Sequence, residues 1–288
     1  MARIKLIVTG DMEKLALHES LRRIFPMTRD GEAVTWERPR KTQCTTSYML
    51  PRQSIAPSPV MSTLARTMLD EAGIVPWRPG AADLVVVIED LELGNLGHED
   101  VVVRHFKAAV EHLLTDFETQ TQARYRDRLQ TRCSFHLFNS MVESYLFGDP
   151  DALRTAGVLP GREPRTLDRD VEKFETDDPL WLPTCMTENA RHLAAGRDWW
   201  RHERHPKRYL EHLTDHHYDE IEHGVPALRA LRWNSVGRIR THVRVVRCLF
   251  EDVADWFGVP NPIEPGECHE KLFPPRSVDR TMLLLRNC

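Results

Sequence analysis

Apolar positions run through this chain in two rhythms. Ile4–Val8 is a short apolar run that reads as a strand, and it breaks at the turn Thr9–Gly10–Asp11. Leu17, Leu21, Ile24 and Phe25 then recur at i, i+4, i+7 and i+8, which predicts a helix over about 12–25 with Asp11 as its N-cap and Pro26 at its end. Glu13 lies four residues ahead of Leu17, so it tops that stripe and points towards the edge of a sheet. A first-turn acid that merely complements the helix dipole is the competing reading. Residues 29–58 are basic, polar and broken by prolines, an irregular segment suited to an active-site or partner-binding loop or a mobile insertion. Val60–Ala72 reads as a helix closed by Gly73.

The next element is ADLVVVIEDLELGN, residues 82–95. Leu84–Ile88 is apolar and mostly β-branched, the composition of a strand buried on both faces. Glu89, Asp90 and Glu92 follow at once. Either the strand ends in a solvated acidic loop, or its carboxyl end carries ligands for a cation, as open α/β sheets commonly place them. Asp90 and Glu92, two apart on an extended chain, face the same way. With Glu13 they form an all-oxygen set of the kind Mg²⁺ or Mn²⁺ favours, able to hold a cation over a phosphate.

Asp100–Leu129 carries the apolar stripe Val103, Phe106, Val110, Leu113, Leu114 and Phe117, which predicts one long helix with a basic far end. Cys133, Phe135 and Leu137 alternate with Ser134 and His136, a strand signal. Asn139 or Ser140 is expected to cap a helix over 141–147, and Asp149–Pro150 opens another that stops at Gly157. Glu143 sits in the first of these among Met141, Val142, Tyr145, Leu146 and Phe147, so it needs a cationic partner, either a metal or an arginine. The order β-α-loop-α-β-α-β-α implies an α/β fold, a parallel or mixed sheet flanked by helices, over residues 1–158. Residues 159–184, rich in Pro, Asp, Glu and Arg, read as a linker, and 185–288 as a mainly helical C-terminal region packed on the sheet domain. Short helices are expected at Pro206–Leu213 and Pro226–Trp233, and an amphipathic one at Arg238–Phe257, ended by Gly258 and Pro260. The tail from Asn261 is expected to be irregular.

Composition narrows the setting. The 288 residues are 41% hydrophobic and 28% charged, with a formal net charge of -4, so no global basic field announces nucleic acid. No apolar run approaches a bilayer span, and the N-terminus turns polar too quickly for a signal peptide. The six cysteines include no CxxC pair, which fits reduced thiols in a cytoplasmic protein. The 14 histidines bunch at 202–223, where His212 and His216 have i, i+4 spacing but no HExxH around them. Beside them Arg204, Lys207 and Arg208 make either a phosphate clamp or a basic surface patch. P-loop, GxGxxG, GxSxG and kinase signatures are missing.

Three segments resemble a known family. FHLFNSMVESYLFGDPDAL, residues 135–153, is similar to the "HEFEALLFSDPEAL" segment of a bacterial family of unknown function. HPKRYLEHL…YDEIEHGVPAL, residues 205–228, resembles its "PSKRL…YDKVLHG" stretch, and IVTGDMEKL, residues 7–15, its opening "VEGxTE". That family is grouped with Toprim-like proteins and, distantly, with overcoming-lysogenization-defect nucleases. The resemblance implies a Toprim-like fold and a Mg²⁺- or Mn²⁺-dependent nuclease of anti-phage defence or genome maintenance. In that frame Glu13, Asp90, Glu92 and Glu143 would hold metal, Glu13, Asp11 and Asp90 would take the catalytic places, and His205, Lys207 and Arg208 would meet phosphate. Thr9 stands where the family has its first Glu. This departure favours an alternative, a catalytically silent partner or regulator of an ABC-type ATPase.

Overall fold

The computed structural model describes residues 1–53, 56–74, 80–263, 266–274 and 285. Its frame is an all-parallel sheet of five strands. β1 (Ala2–Val8) and β4 (Leu84–Asp90) lie at its centre, β5 (Cys133–Phe138) flanks β4, and the short β2 (Val34–Trp36) and β3 (Arg40–Lys41) both pair with β1. The register sets Val8 beside Ile88 and Ile88 beside His136. This is the expected α/β architecture, a parallel sheet covered by helices. No helix of the described residues is long and apolar enough to cross a membrane.

Both faces of β4 are buried, as its unbroken apolar run requires. Leu84, Val86 and Ile88 face one core, with α1 (Asp11–Ile24) and α10 (Arg244–Phe257). Val85 and Val87 face the other, with α2 (Pro59–Glu71) and α3 (Glu99–Leu114). The chain leaves β1 through α1 on one face and returns to β4 through α2 on the other. The carboxyl ends of β1 and β4 are therefore a topological switch point, the usual crevice of such sheets.

Several elements depart from the sequence reading. Gly10, not Asp11, caps α1, and Asp11 opens its first turn. The long helix is two: α3 ends at Leu114, and α4 (Thr119–Arg132) follows a break at Thr115–Glu118. The alternation of β5 does not mark a solvated face: Ser134 and His136 are buried too, under α10, which brings Asp252 to 3.2 Å from His136. Residues 142–148 form a 3-10 helix rather than an α-helix, entered through Ser140 and Met141 at φ 62° and 69°. The last helix starts at Arg244 rather than at 238, since Val243 takes the left-handed region and Ile239 is exposed. Gly258 closes it at φ 68°, as expected.

The helix expected over 60–72 is α2, which Ser58 caps, and Asp149 caps α5 (Pro150–Thr155) as expected. Asp149 is wholly buried and takes hydrogen bonds from the backbone and guanidinium of Arg232. The stretch 159–184 is threaded into the molecule: Glu172 is buried and accepts from Tyr145 Oη and the backbone of Val245 and Val246. Beyond it come α6 (Leu182–Ala194), α7 (Pro206–Leu213), one π-helical turn (Glu220–Gly224), α8 (Val225–Ala230) and α9 (Trp233–Val236). The expected helix over 226–233 is thus divided between α8 and α9. Most of the expected irregular tail, and Cys288, lie outside the described residues.

Candidate metal and phosphate site

Strand alternation sorts the three acids of β4. Asp90 shares its side with Ile88 and turns towards α1, while Glu89 turns to the opposite face. There Glu89 accepts from the backbone of Thr45 and Thr46, at 2.7 and 3.1 Å, and from the Cys44 thiol at 3.3 Å. Glu89 therefore anchors the irregular segment after β3 and stays out of the crevice.

Asp90 opens into a pocket of about 320 Å³ at the switch point. Glu13 from the first turn of α1, Glu92 after β4, Glu143 after β5, and His205, Lys207 and Arg208 around the start of α7 share its lining. Asp11 sits at its rim, ion-paired to Lys41. The eight residues that the resemblance assigned to metal, catalysis or phosphate all line this one cavity, although residues 13, 90, 143 and 207 come from four separate elements; Glu89, Arg204, His212 and His216 do not line it.

Charge explains why such a pocket is costly. Glu13 and Glu143 are buried, Asp90 is partly buried, and the three lie close enough to repel one another. Burial first, then the neighbouring carboxylates, push the Glu13 carboxyl up to about 8, although backbone N–H groups oppose the shift. Burial raises Glu143 to about 7 against the pull of Lys207. Asp90 is driven well above the usual carboxylate range by burial and by Glu13, Glu143 and Glu92. Its Oδ1 is buried without a hydrogen-bond partner. Repulsion and an orphaned acceptor are what a bound cation would relieve.

The donor set fits Mg²⁺ or Mn²⁺: carboxylate oxygens, with no thiolate among the charged groups. The side chains do not form a closed cage, for among the described residues no three His, Cys, Asp or Glu are arranged to grip an ion together. Mg²⁺ does not require one, because it is usually held by one or two carboxylates, waters and substrate phosphates.

Other contacts set the frame. Thr9 Oγ1 accepts the Asp90 backbone N–H at 3.0 Å and so fixes the end of β4. Gly10 leaves room for the Glu13 carboxylate, since a Cβ there would stand 2.2 Å from one of its oxygens and push that side-chain end aside. Lys207 is ion-paired at 2.7 Å to Glu220, whose other oxygen accepts the Met12 backbone N–H at 3.1 Å. The cation near Glu143 is thus a lysine rather than an arginine. Arg208 forms two hydrogen bonds with Glu211. His205 is buried, and desolvation with nearby cationic groups holds it down to about 3, so it meets the pocket as a neutral imidazole. The parts that Glu220 and Gly10 play at the site escaped the sequence reading. Nothing in local spacing separates Glu220 from Glu222; the signal is its π-helical turn, a local irregularity that often marks functional sites and shows only in three dimensions.

Compared with protein-family models, with curated proteins and with solved structures, the chain matches none.

Proposed function

We propose that this protein is a Mg²⁺- or Mn²⁺-dependent phosphodiesterase acting on nucleic acid, with a Toprim-like arrangement of acids. The observation that carries this reading is the convergence of Glu13, Asp90 and Glu143 on one cavity at the sheet's switch point, with Lys207 beside them. Asp90, Glu13 and Glu92 would hold the cation, with Glu143 at its margin. The bound ion would polarise a phosphoryl oxygen and ready a water at neutral pH.

The chain's own groups supply the rest. Lys207, freed from Glu220 or shared with it, presents a cation to a phosphate oxygen, and Arg208 offers a planar fork. Glu143, which exchanges its proton near neutral pH, is suited to hold or release a proton at the reacting oxygen. Met141 and Val142 add apolar side chains to the pocket's lining.

The test is cleavage of labelled DNA and RNA by purified protein with Mg²⁺ or Mn²⁺, beside an Asp90→Asn control. Metal-dependent cleavage lost in the control supports the reading. Cleavage that persists in EDTA or in the control refutes it.

One observation favours a second reading. Thr9 is engaged with the backbone of Asp90, where the resembling motif carries an acid. A chain lacking that acid would serve as the silent or regulatory partner of an ABC-type ATPase, and would show no cleavage with or without that ATPase.

A further inference from the structure

Beside the carboxylate pocket lies a second cleft of a different chemistry. It has a volume of about 470 Å³, between α6, the start of α7 and the loop that joins them. Its walls are rings. His192 and Trp200 stack at 3.9 Å between centroids and 12° between planes. Trp200 lies 6.0 Å from His202, and Trp181 lies 5.1 Å from His202 and 4.9 Å from His212. Flat faces at these spacings are a stacking surface.

The ring edges in this cleft are short of partners. Trp181 Nε1, Trp200 Nε1 and His202 Nδ1 are buried without a hydrogen bond, and so is Nδ1 of His205, whose ring meets Trp200 edge-on at 5.7 Å. Buried polar atoms are normally satisfied, so a cluster of orphans along one cleft calls for a ligand that brings both donors and acceptors. Desolvation favours the neutral imidazoles, whose ring nitrogens donate or accept according to tautomer, although His192 Nδ1 already faces the Arg197 guanidinium at 3.5 Å and His212 Nε2 faces Asp178 at 4.0 Å.

Charge separates this cleft from a phosphate pocket. Glu188 and Glu211 line it and occupy Arg191 and Arg208. Arg197 approaches the cleft from its exposed loop. Arg208 lines both cavities, and His205 joins the ring cluster to the carboxylate pocket. Trp199, next to the stacked Trp200, packs on Gly94 just past Glu92. The ring cleft thus adjoins the acidic end of β4.

We propose that this cleft takes an unpaired nucleobase of a nucleic-acid strand whose phosphodiester lies at the carboxylate pocket. A base has a π-face for Trp200 and His192 and an edge of mixed donors and acceptors for the indole and imidazole nitrogens. A duplex keeps both its faces and edges engaged, so single-stranded nucleic acid is the substrate class. The inference rests on the carboxylate pocket being a phosphodiester site.

The test is binding of a labelled single strand and of its duplex in EDTA, read by fluorescence anisotropy, so that no cleavage intervenes. The single strand is expected to bind about ten-fold or more tighter than the duplex, and Trp200→Leu to lose about ten-fold for the single strand alone. Trp200→Phe, which keeps a ring face, is expected to recover much of that loss. Asp90→Asn is expected to retain strand preference, which separates this inference from the metal reading. Cleavage that is metal-dependent with no strand preference and no effect of Trp200→Leu overturns the inference and leaves the metal reading standing. Strand-selective binding without cleavage does the reverse. A nucleoside monophosphate that binds as tightly as the strand would make the cleft a free-nucleotide site and overturn the proposal. Circular dichroism of each variant excludes a folding defect as the cause of a loss.

Discussion

Asp90 is the residue on which the chemistry turns. It is partly buried at the carboxyl end of β4, surrounded by like charge, with one oxygen buried and unsatisfied. Asp90→Asn removes a source of repulsion from the apo protein. It is expected to raise stability in EDTA by about 1–3 kcal/mol, measured by urea unfolding, while abolishing Mn²⁺ binding measured by calorimetry. A variant that is less stable in EDTA and still binds Mn²⁺ would remove Asp90 from the metal site. Lys207 offers the opposite case. Lys207→Met takes away the neighbour that pulls Glu143 down and the ion-pair partner of Glu220. It is expected to raise the Glu143 carboxyl further above about 7, shifting to higher pH the point at which that proton is lost, as ¹³C NMR of the labelled glutamates would report.

At the scale of elements, the β1–α1 turn decides where Glu13 goes. Gly10 supports the carboxylate so closely that any side chain displaces it. Gly10→Ala is expected to leave the circular dichroism spectrum intact and weaken Mn²⁺ binding at least about ten-fold, a change of about 1.4 kcal/mol. Unchanged affinity would mean that Glu13 is no ligand. The segment after β5 does similar work for Glu143. Ser140 and Met141 adopt left-handed backbone, a costly conformation for residues with a Cβ, and the surrounding bonds hold it. Tyr145 Oη accepts the Asn139 backbone N–H, and Ser144 Oγ donates to the carbonyls of Asn139 and Met141. This strained entry makes 142–148 a 3-10 helix and aims Glu143 into the pocket. Apolar spacing cannot report it, because the same residues would suit an α-helix.

At the scale of the whole molecule, a carboxylate pocket makes stability depend on pH. Carboxyl groups raised from 4.5 to about 8 at Glu13 and to about 7 at Glu143 keep protons in the folded chain that the unfolded chain releases. Where the folded state binds more protons, stability falls as pH rises. The metal-free protein is therefore expected to lose on the order of a few kcal/mol between about pH 5 and 8, and saturating Mn²⁺ to offset much of that loss. A metal-free stability that rises over this window would contradict the burial and repulsion described here.

Much of the sheet was legible in the chain itself. Leu84–Ile88 has no polar residue to expose, so it had to be an inner strand, and parity then sends Asp90 and Glu89 to opposite faces. The helices α1, α2, α5 and α7 lie close to where local spacing and the turn residues beside them set them, for the same local reason. What local pattern does not contain is which distant surfaces meet. Only the folded chain covers Ser134 and His136 with α10, engages Thr9 with the backbone of Asp90, and sets Glu220 between Lys207 and the start of α1. Burial of apolar residues is written residue by residue. The partner of a charge lies dozens or hundreds of positions away, and only packing chooses it.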